Sequence, residues 1–127
     1  MRIVALIAVA VAVLLHVYIF TMESLTWTSA RTRATFGLSQ AQAEQTRELA
    51  YNQGFYNLFL AIVAAVGAVI WLVGDQGIAV ALILAGAGSM VAAGLVLLLS
   101  SPSKAKAALI QLTPPLLGVV ATVLAVA

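Results

Sequence analysis

Residues 55–99 read FYNLFLAIVAAVGAVIWLVGDQGIAVALILAGAGSMVAAGLVLLL. Two apolar runs, about 55–73 and 77–99, are parted only by the turn residues Gly74-Asp75-Gln76-Gly77. A helix needs about 20 residues to cross a ~30 Å hydrocarbon core, and each run has roughly that length. Working outward, a third such run fills residues 3–25 and a fourth fills about 105–127. None alternates between apolar and polar residues as a barrel strand would, and inside lipid only helices or closed barrels satisfy the backbone. The expected fold class is therefore all-α: a four-transmembrane-helix bundle with short loops. The helices are predicted at about residues 3–25, 40–73, 77–99 and 102–127 of a single integral membrane domain.

The composition agrees. Of 127 residues, 64% are hydrophobic and 8% charged, against about 45–50% and about 25% in an average soluble domain. A soluble globular enzyme would lack the polar surface to cover such a core, and disorder needs the opposite composition. There is no cysteine and one histidine, so no disulfide, thiolate or multi-histidine metal site is expected. Arg2 ahead of an apolar run imitates a signal peptide. The run continues past His16 to Leu25, however, and Thr28-Ser29-Ala30 is a poor cleavage site, so a membrane span is the reading.

Cations set the expected orientation. Loop one, residues 26–50, carries Arg31, Arg33 and Arg47, and loop three, residues 100–106, carries Lys104 and Lys106. The other side has only Arg2 and the terminal amine. The positive-inside rule places loops one and three in the cytoplasm and both termini outside a cell (plasma) membrane. The same asymmetry makes the basic balance a topology signal, and no nucleic-acid partner is expected.

Ser39-Gln40-Ala41-Gln42 fits a capping box. No proline follows before Val73, so the second helix is expected to begin near Gln40 as a cytoplasmic extension, with Gly54 as a point where it could break. Ser101-Pro102 fits the opening of the fourth helix, and Pro114-Pro115 predicts a kink within it. In the third helix Ala81, Ala85, Ser89 and Ala93 form a ladder of small residues. It suits close helix packing, either within the chain or between two copies as a homo-oligomer.

Polar residues inside the spans point to a site. Ionisable groups there usually face the bundle or a wet cavity. His16 and Glu23 lie seven residues apart, on nearly one helix face, about 10.5 Å apart in rise, with Phe20 and Trp27 on the same face. The second helix supplies Asn52, Gln53, Tyr56 and Asn57, joined by i,i+4 spacing. Antiparallel pairing sets Glu23 level with Gln53, and Gln111 of the fourth helix can join them. A shared polar chamber in the cytoplasmic half is expected. His16 and Glu23 are the catalytic candidates, and all six groups are candidate ligand contacts. Each also has a plain structural use, as interhelical hydrogen-bonding glue or, for Tyr18, Trp27, Tyr51 and Trp71, as interfacial anchors.

The motifs His16-x-Tyr18-Ile19-x-x-x-Glu23, Trp27, Phe36-Gly37-Leu38, Asn52-Gln53-Gly54-x-Tyr56-Asn57 and Gln111-x-x-Pro114 together resemble the domain-of-unknown-function family 1304. The resemblance spans nearly the whole chain. Leu58 and Pro115 stand where the family pattern has glycine and alanine. It implies a small four-helix integral membrane protein and carries no activity, cofactor or substrate with it.

Three functions fit these residues. One is a small intramembrane binding protein or enzyme holding a lipid-soluble molecule, with Glu23 or His16 as acid or base. Another is a homodimeric transporter or channel. The last is an accessory subunit of a larger membrane complex. No triad signature, phosphate loop or metal motif is present to select an enzyme.

Overall fold

A computed structural model describes residues 1–127. Helix α1 spans Arg2–Phe20, continued by a π turn at Thr21–Leu25. A short helix α2, Ala30–Phe36, precedes the long helix α3, Gln40–Val73. Helix α4 runs Gln76–Ser100, and a 3-10 turn at Pro102–Lys104 leads into α5, Ala105–Val126. Four of these helical segments are long and apolar enough to cross a membrane. The protein is a multi-pass membrane bundle in which α1, α3, α4 and α5 form a ring. Each packs on its neighbour in the chain and α5 closes against α1. The connectivity is up-down-up-down. One end, the hairpin end, holds both chain termini and the Gly74-Asp75 turn. The other, the loop end, holds α2 and the 3-10 turn.

The capping box is formed: Ser39 Oγ accepts from the Gln42 amide at 3.1 Å and Gln42 Oε1 accepts from the Ser39 amide at 2.9 Å. Helix α3 then runs 34 residues without a break, about 51 Å of rise. Gly54 does not interrupt it; close packing, described below, is its use. At the hairpin, Asp75 caps α4 by accepting from the Ile78 amide at 2.8 Å. The Pro114-Pro115 pair sits inside a continuous α5.

Small side chains draw the helices together. The core contains Ala5, Val9, Ala12, Ala61, Ala64, Ala79, Ile83 and Ala121. A Cβ on Gly67 would lie 2.8 Å from the Ile83 amide nitrogen and 2.9 Å from the Ala79 carbonyl oxygen. One on Gly86 would lie 2.7 Å from the Ala64 nitrogen. The backbones of α3 and α4 thus touch, and dispersion across that seam takes the place of the hydrophobic drive that lipid does not supply.

The ladder Ala81, Ala85, Ser89 and Ala93 is not part of that seam. All four residues are exposed, while Ala79, Ile83, Gly86, Ala87, Met90 and Gly94 turn inward. The expectation that the ladder packs within the chain is corrected. The third helix holds small residues on more than one face, and the inward arc is the one that adds Ile83 and Met90. Trp71 is likewise not an interfacial anchor: it is 3% exposed, inside the core. Arg2 donates to its carbonyl oxygen and stands over its ring, 5.6 Å from the centroid. That contact ties the start of α1 to the end of α3.

Candidate functional site

The first span changes pitch where it approaches the loop end. At Thr21–Leu25 it adopts a π turn, a single-turn widening often found at functional sites. The turn ends with the Thr26 amide donating back to the Thr21 carbonyl at 3.1 Å. It sets Ser24 and Glu23 against α3. Ser24 Oγ donates to the Tyr51 carbonyl at 2.8 Å. A Cβ on Gly54 would fall 2.0 Å from Ser24 Oγ and 3.1 Å from Glu23 Cβ. Only a glycine lets α3 approach the turn this closely.

Glu23 then meets its partner. Asn57 Nδ2 donates to Glu23 Oε2 at 2.8 Å, across 34 residues of sequence, and also to its own helix at the Gln53 carbonyl, 3.2 Å away. A hydrogen bond to a carboxylate is worth about 1.5–3 kcal/mol, and it fixes the orientation of both side chains.

These groups border a cavity of about 750 Å³ that opens at the loop end, within the ~300–1,000 Å³ typical of small-molecule sites. Glu23, Gln53, Asn57 and Gln111 supply polar lining, and Leu15, Ile19, Met22, Leu97 and Ile110 supply apolar lining. Trp27, Phe36 and Gly37 from loop one form one wall. Trp27 is held there by its Nε1 donating to Thr46 Oγ1 at 3.1 Å and by the Phe36 ring, 4.9 Å between centroids. Pro114 and Pro115 offer no amide proton to the Ile110 and Gln111 carbonyls one turn earlier.

The structure brings Glu23, Gln53 and Asn57 together and leaves three of the expected group elsewhere. His16 is 2% exposed and outside the lining; its Nδ1 lies 2.9 Å from the Ala12 carbonyl of its own helix. A carbonyl only accepts, so Nδ1 carries the proton in that bond. Asn52 is exposed and donates to the Glu48 carbonyl at 3.2 Å. Tyr56 points outward, 62% exposed. The i,i+4 reading of α3 put all four polar residues on one arc, but the helix turns only the Gln53/Asn57 pair toward α1. Phe20 also leaves the shared face: it packs edge-on against Phe55, 5.1 Å between centroids.

Two features went unread in the sequence. Helix α2 is capped by Ser29 Oγ, which accepts from the Thr32 amide at 3.2 Å. It ends at Gly37 with φ 67°, and this serine-to-glycine bracketing is a legible helix signal. Lys104 and Lys106 also border the cavity, although their positions suggested only a topology signal.

No curated protein and no solved structure matches the chain. The model of one family, "Protein of unknown function (DUF1304)", matches residues 10–123. With nearly the entire bundle covered, including the π turn, the Glu23–Asn57 pair and the cavity, the chain belongs to the DUF1304 family.

Proposed function

We propose that this protein holds a small lipid-soluble molecule in the cavity bordered by the first two membrane helices, with the mouth facing the cytoplasm and both termini outside. The observation that carries the reading is the Glu23–Asn57 hydrogen bond on the wall of a cavity whose remaining lining is largely apolar. A carboxylate and three primary amides, those of Gln53, Asn57 and Gln111, offer acceptors and donors to a polar head. Leu15, Ile19 and Ile110 offer a path for a hydrocarbon tail. An amphiphile matches both halves, whereas a wholly polar solute leaves the apolar wall unmatched. Glu23 is the acid–base candidate that borders the space, and His16 supports α1 from the interior.

Trp27 gives the test a built-in reporter. The protein in zwitterionic nanodiscs is titrated with hexadecanol while tryptophan emission is followed. A saturable change is expected, absent in Trp27→Phe and in Ala93→Trp, which fills the cavity from α4. Glu23→Gln is expected to keep the helical fold and weaken hexadecanol binding about tenfold, the size of one charge-assisted hydrogen bond. An emission change that survives cavity filling, or none at all, overturns the reading.

A homodimeric transporter is the second reading, favoured by the outward Ala81, Ala85 and Ser89 on α4. Subunit counting by photobleaching in native-like lipid decides it. A strict monomer removes that reading and leaves the cavity reading standing.

A further inference from the structure

The chain has two lysines, Lys104 and Lys106, and both line the cavity. They are the only cations that do. Arg33 is directed to the Thr28 carbonyl at 3.2 Å, Arg2 serves Trp71 at the far end, and Arg31 and Arg47 lie outside the lining. The one carboxylate of the lining, Glu23, takes its hydrogen bond from Asn57 and not from an ammonium. The lining therefore carries two ammonium groups against one carboxylate. Like charges on the rim of a partly enclosed, low-dielectric cleft focus a positive potential into it.

The order of groups along α5 is informative. Lys104 stands in the 3-10 turn at the mouth, and Gln111 lies seven residues on, about 10.5 Å deeper by helical rise. Beyond the amides the wall is apolar. A molecule that matches this sequence has an anion at the water side, a hydrogen-bonding linker next, and a hydrocarbon chain last. Lysine suits the first position: it is a strongly hydrated point charge on a flexible stem that reaches phosphate without leaving water.

We infer that Lys104 and Lys106 receive the phosphate headgroup of a membrane amphiphile whose chain lies in the cavity. The inference rests on the amphiphile reading given above. Glu23 sharpens it, because its carboxylate repels the phosphate from the interior and accepts a hydrogen bond from a hydroxyl on the linker. Head-out orientation is then fixed from both sides.

The test compares hexadecyl phosphate with hexadecanol, read by Trp27 emission in zwitterionic nanodiscs. Hexadecyl phosphate is expected to bind about tenfold more tightly, the effect of one or two partly screened charge pairs. The Lys104→Gln/Lys106→Gln double variant is expected to erase that difference. Arg31→Gln/Arg47→Gln removes the same formal charge away from the cavity and is expected to change neither affinity by more than about twofold at physiological salt. Equal affinity for the two probes, or an arginine effect as large as the lysine effect, overturns the inference while the amphiphile reading survives. Displacement of hexadecyl phosphate by millimolar inorganic phosphate assigns the rim to free phosphate and overturns the lipid source. If neither long-chain probe binds, the amphiphile reading itself fails.

Discussion

The two tryptophans sit at opposite ends of the bundle in opposite surroundings. Trp71 is buried at the hairpin end, its Nε1 without a hydrogen-bond partner and its ring covered by Arg2. Trp27 is half-buried at the loop end, its Nε1 bonded to Thr46, beside open volume. The hairpin end accepts an unmade hydrogen bond, a cost of about 1–3 kcal/mol, in return for close packing. At the loop end Ser24, Glu23 and Trp27 each have a hydrogen-bond partner, and open volume lies beside them. The two ends thus differ in packing: one is closed, and the other keeps open volume beside its polar groups.

Substitutions can break that contrast, beginning with the glycines that set helix approach at each end. Gly67→Ala places a methyl against backbone atoms of Ile83 and Ala79, which cannot move aside. Thermal unfolding in detergent should show a loss of about 3 kcal/mol. Gly54→Ala meets chiefly Ser24 Oγ, the end of a short side chain. It should cost about 1–2 kcal/mol, and Ser24→Gly in the same chain should restore part of it. Equal losses at both glycines, with no rescue, would show that the loop end is packed as rigidly as the hairpin end.

Smaller effects sharpen the picture. Asn57→Leu removes the donor to Glu23 and should lower stability by about 1.5 kcal/mol. An unchanged unfolding midpoint would mean that Glu23 finds water in its place. Thr46→Val removes the acceptor for Trp27 while keeping its volume. A loss of about 1 kcal/mol and a shift in Trp27 emission are expected, and a silent substitution would detach Trp27 from the wall. Arg2→Gln removes the cation over Trp71 and should cost the least, about 0.5 kcal/mol.

Much of this architecture is legible in the residues, and the part that is not has a physical cause. Four long apolar runs announce the spans, because lipid demands length and hydrophobicity and little else. Ser39 and Gln42 announce the start of α3, because a capping box is local. Which face of each span turns inward is harder to read. In water the buried face is apolar and the outer face polar, but in a bilayer both are apolar and the periodic signal fades. The inward Trp71 is a failure of that kind, and the same loss of signal left the ladder on α4 open between packing within the chain and packing between two copies. Glu23, Gln53 and Asn57 were readable because polar groups avoid lipid. His16 obeyed the same rule by bonding to its own helix, and Tyr56 sits where its ring faces outward. The π turn carries no composition signal at all, since it arises where α1 meets α3.

That turn gives the first span a phase as well as a length. A π turn is an α-helix carrying one residue more than its register needs. Deleting Thr21 would let the segment relax to ordinary pitch and leave the residues on either side of it in phase. What would be lost is the widened turn itself, which sets Glu23 against Asn57 and Ser24 against Gly54. In a regular stretch of a span, by contrast, a one-residue deletion turns everything beyond it by about 100°. The π turn is thus the one place in the first span where a residue can be removed without rotating the rest, and its cost falls on the wall of the cavity alone.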